Sequence, residues 1–326
     1  MRVSVTGGTG FVGRALVRRL LAQGVSVKVL GRPSERAERL RALGAQVVEG
    51  DLEDPGSVER AVQGADIVYH LAAKVDRPGT RGEFVETNVR GTERVFTACR
   101  RLGGVSRVIY TSSVAVYGLV QPGQSIDEDA PYDAAPQLRD SYAQSKILAE
   151  QFAISFSQKT GLPAVIFRPG LIYGAGKPLP LGLLGFRLWN TDFVFGDRNL
   201  RLPLNYVENL IDAMQLAASL KDNRLRQFNI VDDEELTLGQ YHETKSAEEK
   251  TRTVFLPGGL VLFGAPLAES FVRAASRGGT TGLSQHQVKR ALQDRSYGTR
   301  RIREELGWMP RVQLREAIQR SLRNPD

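Results

Sequence analysis

The chain has 326 residues, 41% hydrophobic and 25% charged, with a formal net charge of +8. This is the balance of a soluble globular protein with one large domain or two smaller ones sharing a core. The lone Cys99 excludes an internal disulfide, and "MRVSVTGG" runs straight into a strand pattern, so a reducing, cytoplasmic setting without a signal peptide is expected. The positive charge invites nucleic acid or anionic lipid as a partner. Yet the arginines of "RPSERAERLRAL" and "RRIREEL" fall at helical spacing among glutamates, which reads as solvated helix faces and predicts no nucleic-acid partner. His70, His242 and His286 lie far apart, so no metal site is expected.

In chain order, "RVSVTG" is a strand, and "FVGRALVRRLLAQG" is a helix with Phe11, Ala15, Leu16 and Leu20 on one face. "VSVKVLG" is the second strand, Ser34 opens a helix that Gly44 closes, and "AQVVEGD" is the third strand. Asp54 caps a helix with Pro55 in its first turn. "DIVYHLA" is a fourth strand, a long helix covers about 83–102, and "RVIYTSS" is a fifth strand. A helix carrying Tyr142 follows, then a sixth strand, "PAVIFRP". These strands are nearly continuous apolar runs, as expected where helices cover both faces. The βαβα order predicts an α/β fold with a doubly wound parallel Rossmann sheet. A helix at about 206–220 and the strand "QFNIV" read as late additions to it. Residues 1–173 and about 204–232 are assigned to this domain. Residues about 174–203 and 233–326 are assigned to a smaller, mostly helical substrate lobe. The apolar run 254–272 holds two prolines, three glycines and Glu269. It predicts no spanning helix but a buried or subunit-facing surface, and leaves a peripheral membrane contact open.

"VTGGTGFVG" joins the first strand to its helix. Gly7 permits the tight turn, Gly10 the approach of backbone to a pyrophosphate, and Gly13 the packing of helix on strand. The second strand ends in "VLGRPS", with Arg32 where an acid would bond a ribose 2′-hydroxyl. That favours NADP over NAD. Asp51, closing the third strand, is placed to meet the adenine amine. In "SYAQSKILAEQF", Tyr142 and Lys146 share one helix face.

Taken together, "TGGTGFVG", "GDLED", "HLAA", "TNVRGT", "YTSSVAVYG", "YAQSK", "RPGLIYG", "NYVENLIDA" and "ELGWMP" resemble the extended short-chain dehydrogenase/reductase family. The resemblance covers nearly the whole chain and points to the epimerase/dehydratase and hydroxysteroid-dehydrogenase-like group. It implies that Tyr142 is the acid/base. It also implies that Lys146 supports Tyr142 and bonds the nicotinamide ribose. Ser113 matches the hydroxyl that orients the substrate oxygen, with Ser112 the adjacent alternative. The same resemblance places Thr9, Phe11, Val12, Leu52, Leu71, Ala72 and Ala73 along the cofactor, and Pro169, Gly170 and Leu171 at the nicotinamide. Asn88 matches a position that supports the fourth helix.

"TSSVAVYG" carries no acid beside the serines, which disfavours a dehydratase. An oxidoreductase acting on a secondary alcohol or ketone is the first reading. A nucleotide-sugar epimerase with tightly held NAD is the second, with Arg201 and Lys177 as diphosphate contacts. A cofactor-sensing protein without catalysis is the remote third. The expected partners are a small-molecule substrate and, by resemblance, a second copy in a homodimer.

Overall fold

The computed structural model describes residues 1–75, 79–118, 124–177, 185–232, 236–257 and 293–322. The chain opens with β1 (Arg2–Thr6), α1 (Phe11–Ala22), β2 (Ser26–Gly31), α2 (Glu35–Ala42), β3 (Gln46–Glu49), α3 (Pro55–Val62) and β4 (Ile67–His70). Next, α4 (Arg81–Phe84) runs through a π-helical turn at Val85–Arg90 into α5 (Gly91–Leu102), followed by β5 (Arg107–Thr111) and the short β6 (Ser125–Ile126). Then come α6 (Ser141–Thr160), β7 (Ala164–Pro169), β8 (Leu171–Tyr173), β9 (Gly185–Leu188), β10 (Thr191–Phe195), β11 (Leu204–Tyr206), α7 (Val207–Ala218) and β12 (Arg226–Ile230). The last described elements are α8 (Leu238–Glu249), β13 (Arg252–Leu256), β14 (Ser296–Tyr297), α9 (Arg300–Leu306) and α10 (Leu314–Leu322).

Seven strands form one parallel sheet in the order β3-β2-β1-β4-β5-β7-β12. The expected doubly wound sheet is therefore present, and "QFNIV" closes its edge. Alternate residues explain why the strands read as unbroken apolar runs. Ile109, Val165 and Phe167 pack on one face with Leu16 and Leu20 of α1 and Met214 of α7. Val108, Tyr110 and Ile166 pack on the other with Val58 of α3, Phe96 of α5 and Ala153 of α6. Both faces are buried, so neither alternate set is polar.

Local chemistry fixes the helix starts. The Ser34 hydroxyl accepts from Ala37 N at 3.3 Å. The Asp54 carboxylate accepts from Gly56 N and Ser57 N ahead of α3, with Pro55 as its first residue. Thr237 and Gln240 form a reciprocal capping box on α8.

Beyond the sheet, α8, α9 and α10 dominate the described tail. A three-stranded sheet that the periodicity did not show stands beside them: β9 runs antiparallel and β13 parallel to β10. The pairing of β13 with β10 is long-range, and local pattern cannot reveal it. Residues 254–256 of the apolar run lie in β13, with Val254 40% exposed rather than buried. From residue 258 to 272 the run lies outside the described residues. Among the described residues, no helix is long and apolar enough to cross a membrane.

Candidate active site

The glycine turn leaves no room for side chains where backbones meet. Gly7 has φ +74°, and a Cβ there would stand 2.6 Å from Ala72 N. A Cβ on Gly13 would stand 2.1 Å from Gly7 O. Gly10 N donates to Gly7 O at 2.9 Å and closes the turn. No side chain caps α1 at Gly10, and its first turn carries no acid. The first N–H groups of α1 and the positive end of its dipole thus remain for an anion. Thr9, Phe11 and Val12 are partly buried around this turn. Leu71 N donates to Thr6 O at 3.2 Å and Ala72 N to Thr6 Oγ1 at 3.4 Å, and Ala73 follows them past the end of β4. The cradle fits a dinucleotide pyrophosphate. Gly13→Val is expected to abolish dinucleotide binding, read by calorimetry. Retained binding would show that the turn is not the cofactor cradle.

One cation arrives here that sequence reasoning assigned to the substrate. Lys177 Nζ sits 5.9 Å over the Phe11 ring, at the mouth of the glycine turn. Arg201, the other proposed diphosphate contact, is gripped by Asp294, with Nη2 at 2.7 Å. It lines a cleft of about 110 Å³ with Pro203, Val231, Asp232 and Tyr297.

At the adenosine end, Arg32 Nε lies 3.8 Å from Asp51 Oδ2, and Arg32 is mostly exposed. The structure thus brings together two residues that the sequence assigned to separate parts of the cofactor. Leu52 is buried in the core, and its carbonyl accepts from Arg94 Nη1 at 3.2 Å. Arg14 was missed by pattern reading. Its Nη1 donates to Thr9 O at 3.3 Å, and burial, then repulsion from Arg36, Arg18 and Arg39, holds its pKa below the usual arginine value. A cluster of like charges at this corner is relieved by an anion.

Asp140 opens α6 by accepting from Ala143 N at 2.8 Å. Tyr142 is half-buried in the first turn. Lys146, one turn on, is only 3% exposed, and its Nζ donates to Thr111 O at 2.7 Å, at the end of β5. Burial pushes its pKa down to about 8, an effect partly offset by Glu150. Ser112 and Ser113 part company after β5. Ser112 is buried, with its N–H bonded to Phe167 O. Ser113 is half-buried, and its Oγ accepts from Ala115 N at 3.1 Å, which leaves its hydroxyl proton to donate.

Asn88 lies in the π-helical turn. Its amide accepts from Lys74 N at 2.7 Å and donates to Lys74 O and to Ser145 Oγ, which in turn donates to Tyr142 O. It ties the segment after β4 to the first turn of α6. His70, also missed, bridges Thr6 Oγ1 at 2.7 Å and Thr92 Oγ1 at 2.9 Å. Burial, helped by the Lys146 charge, pushes it down to about 3, so it is neutral and structural.

The turn after β7 is more committed than expected. Gly170 N donates to Ile230 O at 3.1 Å and Leu171 N to Pro203 O at 2.7 Å. Neither donor is left for a nicotinamide carboxamide. Pro169 is buried, and the turn presents the 43% exposed Leu171 side chain.

The model of the NAD dependent epimerase/dehydratase family matches residues 3–230. The chain belongs to that family. This epimerase/dehydratase-family chain is 32% identical over 249 residues to 2-alkyl-3-oxoalkanoate reductase of Shewanella oneidensis, covering 72% of the chain and 63% of the relative. It is 35% identical over 232 residues to 3 beta-hydroxysteroid dehydrogenase/Delta 5-->4-isomerase of Mycobacterium tuberculosis, covering 67% of the chain and 60% of the relative. The matches thus span less than two thirds of those relatives' lengths. UDP-glucose 4-epimerase of Thermus thermophilus, solved as a complex with NAD, shares the fold at a TM-score of 0.73 and 23% identity, covering 98% of this chain and 97% of that one.

Proposed function

We propose that this protein interconverts a secondary alcohol and a ketone with an NAD(P) cofactor, and that NADP is preferred. The observation that carries this reading is the buried Lys146 one helical turn from the half-buried Tyr142, with its Nζ on Thr111 O at the end of β5, just before Ser113. A phenol is a poor acid/base at neutral pH unless its anion is supported. A dry ammonium supplies that support, because a charge acts more strongly where water is excluded. Ser113 donates to the substrate oxygen, and Tyr142 gives it a proton or takes one. A bound nicotinamide supplies or accepts the hydride. Gly7, Gly10 and Gly13 hold the pyrophosphate with the start of α1, and Lys177 adds charge at its mouth. Asn88 fixes the first turn of α6.

Two observations support NADP. Among the described residues, the Arg32 guanidinium has only the long ion pair with Asp51, and Arg14 sits among like charges. Arg32→Ala is expected to raise the KM for NADPH about tenfold or more, the scale of a lost charge-assisted bond, and to spare NADH. Equal losses with both cofactors would remove Arg32 as the phosphate reader. The reductase and dehydrogenase relatives favour alcohol–ketone chemistry. Leu148 of α6 and Leu102 of α5 remain exposed, which suits a homodimer contact along these helices.

Native mass spectrometry of the purified protein, followed by exchange with NADPH, tests the reading. An empty site that takes NADPH before NADH supports it. A stoichiometric NAD that does not exchange overturns it in favour of the epimerase, which must retain the hydride between half-reactions.

A further inference from the structure

The tip of the β9–β10 hairpin is built against local preference. Thr191 pairs with Leu188, so Trp189 and Asn190 form a two-residue turn. Trp189 takes φ +50°, in the left-handed region where such turns normally place glycine or asparagine. Its side chain is 91% exposed, and the neighbouring Leu188 is 48% exposed. Lys250 is the other non-glycine residue with positive φ among the described residues, at +54°. The two strained positions meet: Asn190 Nδ2 donates to Lys250 O at 2.9 Å, and Arg252 N donates to Asn190 O at 2.9 Å. One end of the small sheet thus presents Trp189, Leu188, Lys250 and Arg252 together, all exposed.

The charges around this tip are not balanced. Arg187 is taken up by Asp192 and Glu249, and Lys245 also pairs with Asp192. Lys250 and Arg252 make no ion pair among the described residues. An exposed indole with an aliphatic neighbour and two unbalanced cations matches an interface with anionic headgroups above and acyl chains below. The chain's net charge of +8 adds long-range attraction.

We propose that the Leu188–Trp189 tip is a membrane-docking point that enters the headgroup layer of an anionic lipid surface, with Lys250 and Arg252 on the phosphates. The backbone strain is the cost of putting an indole at the tip, and glycine would avoid it. This contact is independent of the reaction assigned above.

The chain carries a built-in probe. It has two tryptophans, and Trp308 is fully buried with Nε1 bonded to Asn209 O. A change in emission on adding vesicles therefore reports Trp189. Vesicles of phosphatidylcholine containing phosphatidylglycerol should shift the emission to shorter wavelength, and brominated acyl chains should quench it. Phosphatidylcholine alone should not, and salt should reverse the effect. In flotation assays, Lys250→Glu with Arg252→Glu should lower binding to the anionic vesicles about tenfold or more. Trp189→Gly should lose vesicle binding while gaining thermal stability, a combination that a purely structural tryptophan would not give. An emission unchanged by anionic vesicles overturns the proposal. So does a shift that follows protein concentration without lipid, which would make a second copy the occupant. Flotation of Trp189→Gly equal to that of the parent protein does the same.

Discussion

Tyr142→Phe is expected to lower kcat/KM for ketone reduction by about 10²–10⁴-fold, the range of a lost general acid, while NADPH binding stays unchanged. The phenol oxygen is the only atom removed, and the glycine turn and the arginine corner lie on other elements. Lys146 sets the pH dependence. Its ammonium is held in place by Thr111 O, and its pKa is pushed down to about 8 from the ordinary 10.5 by burial. Below about pH 8 the ammonium supports Tyr142; above it the support is lost, and the rate should fall. The effect on stability has the opposite slope. Between pH 8 and 10.5 the unfolded chain holds more protons at this lysine than the folded one, so this group makes stability rise with pH across that window. A pH–rate profile together with thermal melts separates the two. An alkaline limb near the ordinary phenol value of about 10 would disconnect Lys146 from Tyr142. Full activity in the Phe variant would remove Tyr142 as the acid/base, whereas a parent protein that binds NADPH and turns over no ketone would leave the non-catalytic sensor as the remaining reading.

The parallel sheet was legible because its strands are apolar on both faces and are separated by amphipathic helices with local stop and start signals. Ser34, Asp54 and Gly7 announce themselves within a few residues of where they act. Helical spacing puts Tyr142 and Lys146 on one face, but spacing alone does not make such a pair catalytic; their assigned roles came from the resemblance to the family. What stayed hidden depends on contacts distant in sequence. Lys177 comes to lie over Phe11 because the turn after β8 folds back onto α1, with a Cβ on Gly174 standing 3.2 Å from Phe11 Cζ. Arg201 is claimed by Asp294, 93 residues away. Gly170 and Leu171 spend their N–H groups on β12 and on Pro203, pairings that no local pattern shows. The Trp189 turn was hidden for a different reason. Its sequence lacks the glycine that normally marks a two-residue hairpin.

Glu150→Ala is expected to destabilise the fold by about 3–5 kcal/mol, the cost of leaving one member of a buried ion pair alone. The shift per kcal/mol is ~2–4 °C for domains of about 150–250 residues and smaller for a longer chain, so the melting temperature should drop by roughly 5–10 °C. Glu150 is fully buried on α6, one turn beyond Lys146. Its Oε1 accepts from Arg168 Nε at 2.9 Å, from Arg168 Nη2 at 2.5 Å and from Tyr132 OH at 2.9 Å. Arg168 goes on to donate to Tyr117 OH, Glu128 O and Gln227 Oε1. Tyr117 follows the short helical turn that Ser113 caps. The pair therefore locks β7 and α6 to the segment carrying Ser113. Removing the carboxylate leaves a guanidinium in a dry site, whereas replacing both partners with apolar side chains, as in Glu150→Leu with Arg168→Met, should cost less than the sum of the single changes. The same substitution reaches Lys146. Glu150 opposes the depression of the lysine pKa, so its loss should move that pKa further below about 8 and carry the alkaline limb of the rate profile with it. An Ala variant that melts with the parent protein would show that the pair holds nothing together. One that melts earlier with an unmoved limb would confine Glu150 to scaffolding and leave Lys146 governed by burial alone.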